Sequence, residues 1–130
     1  MNLFYRIKSD YDFIKTTKLI KQAIVQFNFT ILAEFDLAEK LRSKDLPLDG
    51  ELYVLEVCNP TYAYSVLNTK PDSEYLLPCR ITLTKGKDVT VGILNYEVFS
   101  NLGYSLSESE QFTLNEIKQV LQIVKRSLIN

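Results

Sequence analysis

Tyr53-Val54-Leu55-Glu56-Val57-Cys58-Asn59-Pro60, continued by Tyr75-Leu76-Leu77-Pro78-Cys79-Arg80, is the stretch on which the fold turns. From Glu51 to Val57 the chain reads as a strand, with Leu52 and Val54 on one side and Tyr53, Leu55 and Val57 on the other. Both sides are apolar, so this strand is expected inside the sheet and covered on both faces. Cys58-Asn59-Pro60 ends it. Asn59 suits an N-cap and Pro60 the first helical position, which predicts a helix to about Asn68 with Pro60, Ala63, Val66 and Leu67 inward. Pro71-Asp72 breaks the helix. A strand then runs from Leu77 to Thr84, with Cys79, Ile81 and Leu83 on one face and Arg80, Thr82 and Thr84 on the other. Both cysteines of the chain lie in this stretch.

Working outward toward the N-terminus, Asp49-Gly50 and Pro47 mark a turn. Asp36-Leu37-Ala38-Glu39 has capping-box spacing and starts a short helix to about Lys44. Before it, Phe29, Ile31, Ala33 and Phe35 alternate as a strand. Phe13, Ile20, Ala23, Ile24 and Phe27 share one face of an amphipathic helix, with Lys15, Lys18, Lys21 and Gln22 turned largely away. Ser9-Asp10 offers its cap. Leu3, Tyr5 and Ile7 alternate in a first, half-buried strand.

Toward the C-terminus, Gly86-Lys87-Asp88 joins the Leu77–Thr84 strand to one carrying Val89, Val91 and Ile93, the clearest hairpin in the chain. Glu97 to Leu102 reads as a helical turn ended by Gly103. Ser105, Ser107, Glu108, Ser109 and Glu110 read as loop. Thr113-Leu114-Asn115-Glu116 is a further capping box, opening a helix with Leu114, Ile117, Leu121, Val124 and Leu128 inward. The whole predicts an α+β two-layer sandwich, with helices packed on a mainly antiparallel or mixed sheet of about five strands. Its 130 residues are expected to form one domain. Because so few helices cover one sheet face well, a homodimer is expected to cover the other, unless the chain's own loops close over it.

Composition narrows the chemistry. The formal net charge of -1 is not that of a nucleic-acid binder, which usually shows a basic excess or stripe, and it leaves room for a local basic patch. Histidine is absent, which removes Ser-His and Cys-His nucleophilic pairs and histidine zinc sites. No nucleophile–base pair, phosphate loop or paired-acid signature appears, so the pattern leans away from an enzyme. Neither a signal-peptide apolar core nor a run of membrane-spanning length is present, so the expected compartment is the cytoplasm, with both thiols reduced.

The segments Leu55-Glu56-Val57-Cys58-Asn59-Pro60 and Leu76-Leu77-Pro78-Cys79-Arg80 resemble the family named domain of unknown function 302. That family is built around a Cys-Asn-Pro step after a strand and a Leu-Pro-Cys step about 20 residues later. Ile31-Leu32-Ala33-Glu34-Phe35-Asp36-Leu37 is similar to its upstream segment. The resemblance covers roughly residues 10 to 94. It implies a small two-layer α/β domain, often standing alone and dimeric, and it carries no established reaction or residue role.

Glu56, Cys58, Asn59, Cys79 and Arg80 form the candidate site, with Tyr62 and Tyr64 as possible walls. Three readings stand open. In the first, these residues line a pocket for a small anion, a metal or a cofactor such as haem. In the second, Cys58 and Cys79 form a reversible disulfide, which requires Cα atoms within about 7 Å. In the third, the cysteines are buried hydrophobes and Asn59 is only a cap. A helix start after Asn59 favours a Cys58 thiolate, whereas Glu56 two residues back opposes it. An ion pair between Arg80 and Glu56 would lift that opposition.

Overall fold

The computed structural model describes residues 2–126. Five strands, β1 (Phe4–Lys8), β2 (Thr30–Asp36), β3 (Glu51–Cys58), β4 (Cys79–Lys85) and β5 (Val89–Leu94), form one sheet in the order β1-β5-β4-β3-β2. Every neighbouring pair is antiparallel. Helices α1 (Phe13–Gln26) and α4 (Glu108–Gln122) contact each other and the sheet. With α2 (Leu37–Arg42) and α3 (Pro60–Thr69) they complete an α+β fold.

Alternation decides which side chains meet the helices. Leu55 and Val57 of β3, Cys79, Ile81 and Leu83 of β4, and Val91 and Ile93 of β5 join Ile20, Ala23 and Ile24 of α1 and Leu114, Ile117, Val120 and Leu121 of α4 in one buried cluster. The expected inward faces of α1 and α4 are therefore those observed. Leu128 lies outside the described residues. On the opposite sheet face Val54 is also fully buried, as is Ala38 of α2, the helix that contacts β3. The chain's own short helix thus covers that end of the sheet. Among the described residues no α-helix covers the remainder of the face, across β4, β5 and β1.

Several local details differ from expectation. Asp12, not Ser9-Asp10, caps α1 by accepting from the Lys15 N–H at 2.7 Å; Asp10 instead accepts from the Arg126 N–H. Pro60 and Leu67 are exposed, and Val66 is the buried residue of α3. β3 lies inside the sheet between β4 and β2 with both faces buried, as expected, although the middle strand is β4. In β2 the register shifts between Ile31 and Ala33, so Leu32 is an extra residue opposite β3. Ile31 therefore pairs with Val57 on the helix side, whereas Ala33 and Phe35 pair with Glu56 and Val54 on the other. The four alternating residues expected on one face are split between two.

One turn requires glycine. Gly50 has φ +84°, and a Cβ there would stand 2.0 Å from the Lys85 carbonyl oxygen. The backbone of the turn entering β3 can lie against the end of β4 only without a side chain.

Candidate functional site

The residues around the two cysteine steps are brought together in the ladder but divided between the faces. β3 and β4 pair Val57 with Cys79 and Glu56 with Arg80. Cys58, one residue beyond Val57, is turned by the pleat to the opposite side from Cys79. Both thiols are free. Burial pushes the Cys58 pKa up. Burial pushes that of Cys79 to about 11, against a lowering from the facing Tyr96 hydroxyl. Desolvation thus decides the opposition between helix end and carboxylate: neither sulfur is held as a thiolate. Asn59 caps α3 by accepting from the Tyr62 N–H at 3.2 Å, with Pro60 at the first turn.

Cys79, Tyr62 and Tyr96 border an interior cavity of about 30 Å³, together with Ser73, Glu110 and Thr113. That space holds about one or two water molecules and no cofactor. Tyr64, expected as a second wall, is exposed. Among the described residues no three Cys, Asp or Glu side chains gather to hold a metal ion.

The larger opening lies on the uncovered face. A groove of about 840 Å³ runs over β1, β5 and β4, within the range of small-molecule sites. Arg6, Thr82, Thr84, Thr90 and Arg80 line its floor, with Gly92 among them. The rim is built by Tyr75 to Pro78 before β4, and by Tyr96 and Phe99 of the 3₁₀ segment Tyr96–Leu102 after β5. The floor pattern follows from register. Arg6 pairs with Gly92, and Gly92 with Thr82, so a residue without a side chain sits between an arginine and a threonine. Arg6 and Arg80 are both exposed, and neither makes an ion pair within 4 Å among the described residues. Arg6 stacks 5.7 Å from the Phe4 ring centroid.

Of the five residues singled out by sequence, Arg80 alone lines this groove, and Glu56 stands directly across from it. No ion pair joins those two. Asn59 and Cys58 lie outside the groove, and Cys79 faces the helices. Arg6, Gly92, Thr82, Tyr96 and Phe99 were not part of the expected set. Arg6 on the polar side of an alternating strand resembles any solvated residue, so only strand order brings it to Arg80.

The site sits on a small α+β domain in which two long helices cover one face of an antiparallel sheet and leave a basic groove on the other. The chain belongs to the family described as domain of unknown function DUF302, whose model matches residues 5–124. It is 29% identical over 111 residues to an uncharacterized protein of Aquifex aeolicus (strain VF5), covering 82% of this chain and 71% of that one. Its fold is similar to the crystal structure of an uncharacterized conserved DUF302 protein from Bacillus stearothermophilus, with a TM-score of 0.88, 23% identity and coverage of 96% of this chain and 100% of that one. No helix among the described residues is long and apolar enough to cross a membrane.

Proposed function

We propose that the protein is a binding module that takes a small organic anion in the groove on the uncovered sheet face. The supporting observation is the pair Arg6 and Arg80, exposed, without ion-pair partners among the described residues, and set among threonine hydroxyls and aromatic walls. Guanidinium groups bind carboxylates and sulfonates by paired N–H donors, and the hydroxyls complete the anion's hydrogen bonds. Phe4, Tyr96 and Phe99 suit a flat apolar body attached to that anion.

Fluorescence titration with anilinonaphthalenesulfonate tests the reading, with near-ultraviolet circular dichroism to confirm that the protein stays folded. Arg80→Gln and Arg6→Gln are each expected to weaken binding about tenfold or more, the worth of one charge-assisted hydrogen bond. Unchanged affinity in both variants would remove the groove as the site. Phe4 and Tyr75, exposed at the rim, favour a second reading in which two copies bury this face against each other. A dimer in light scattering that dissociates in Arg80→Gln would replace the first reading by the second.

A further inference from the structure

The outer face of the sheet is a grid whose rows are given by register. One row runs Arg6, Gly92, Thr82, Val54. In the next, Phe4 pairs with Leu94 and Arg80 with Glu56. The β4–β5 pairing ends at Thr82 and Gly92; two residues further along each strand, on the same face, stand Arg80 and Leu94. Arg6 and Arg80 are therefore two strands and one row apart, about 10 Å across the strands. Between them Gly92 brings no side chain, and the Arg6 stem leans over it, its Cγ 3.1 Å from where a Cβ would stand. The groove is asymmetric around this pair. Toward β1 and the 3₁₀ segment its walls are Phe4, Tyr96 and Phe99. Toward β3 the next charge is the Glu56 carboxylate, directly opposite Arg80 and half-buried. Directly opposed residues on one face have Cβ atoms about 5 Å apart.

We infer that the groove selects monoanions and that Glu56 sets the limit. This rests on the anion-binding reading of the groove. Two guanidinium charges and one carboxylate leave a single positive charge to be neutralised. One carboxylate or sulfonate held between the two guanidinium groups does so. A second negative group on the same small body finds no further cation in the groove: along the floor it meets only the Thr84 and Thr90 hydroxyls. Against the aromatic wall it loses hydration without a partner. Toward β3 it meets Glu56 and is repelled. Glu56 is thus a specificity residue.

Isothermal titration with naphthoate and naphthalenedicarboxylate compares one apolar body carrying one or two charges. The wild-type protein is expected to bind naphthoate about tenfold tighter than the dicarboxylate, as a like charge at several ångströms implies. Glu56→Gln is expected to close that gap, chiefly by tightening the dianion. Glu56→Asp, which keeps the charge, is expected to retain it. Equal wild-type affinities, or a gap that survives Glu56→Gln, would overturn the inference while leaving the groove as an anion site. If neither compound binds the wild-type protein, the anion-binding reading fails, and the inference with it.

Discussion

Burial keeps the Cys79 thiol protonated far above neutral pH, and its folded pKa of about 11 compares with an ordinary value of 9.0. A proton bound more tightly in the folded chain stabilises it fully below the unfolded pKa. That contribution fades as pH rises from about 9 toward 11, by about 2–3 kcal/mol in total. Denaturant unfolding at pH 8 and about pH 9.5 should therefore show a smaller alkaline loss in Cys79→Ala than in the wild-type protein. Equal losses would mean that Cys79 ionises as readily folded as unfolded. The comparison belongs below pH 10, because burial also raises the pKa of Tyr62 and Tyr96, whose losses follow at higher pH. The half-buried Cys58 should react with a disulfide reagent before Cys79, and neither quickly at neutral pH. Sequence shows both cysteines and their motif, but burial, which sets their chemistry, comes from strands distant in the chain.

At the scale of elements, the start of α4 shows what a sequence reading loses. Thr113-Leu114-Asn115-Glu116 has capping-box spacing, yet Thr113 lies inside the helix and donates to the Ser109 carbonyl. The operative box is Ser107 with Glu110, in a stretch whose serines and acids suggest a loop. Ser107-Glu108-Ser109-Glu110 carries the same spacing signal; its long-range partners decide between the two boxes. Lys70, at the C-cap of α3, donates to Glu110 at 2.6 Å, and the Tyr104 hydroxyl donates to the other carboxylate oxygen at 2.7 Å. The Lys70 ammonium also lies 4.2 Å from the Tyr104 ring centroid. Burial pushes the Glu110 pKa up, but Lys70, the Ser107 N–H and hydroxyl, and Tyr104 outweigh it and hold the pKa below its ordinary 4.5. The resulting stabilisation is present above about pH 4.5 and is lost as pH falls through the lower folded value. Ser107→Ala should cost about 1 kcal/mol in denaturant unfolding. Glu110→Gln should cost about 2–3 kcal/mol by leaving Lys70 without its anion, and it should flatten the stability loss below pH 4.5. An unchanged acid profile in Glu110→Gln would show that this cluster does not couple to folding.

For the whole molecule, sheet order matters more than any one contact. β4 is flanked by β3 and β5 and faces the cluster of α1 and α4, whereas β1 and β2 are edges. Amide exchange should be slowest in β4 and β3 and faster in β1; equal protection of β1 would contradict this order. The hairpin, the strand count and the α+β class were legible because alternation and turn residues are local. The order β1-β5-β4-β3-β2, which builds the groove by setting β1 beside β5, joins segments more than 80 residues apart. No local pattern in Phe4–Lys8 names its neighbour. The extra residue in β2 has a consequence for how this domain tolerates change in length. Leu32 works like a frameshift in the two-residue alphabet of a strand: before it, odd positions face the helices, and after it, even positions do. Losing Leu32 itself would leave every other β2 side chain reading on its present side. A single-residue insertion after Asp36's partner Tyr53, within β3, has no such slack. It would turn the following residues over and exchange Glu56 with the apolar floor of the core.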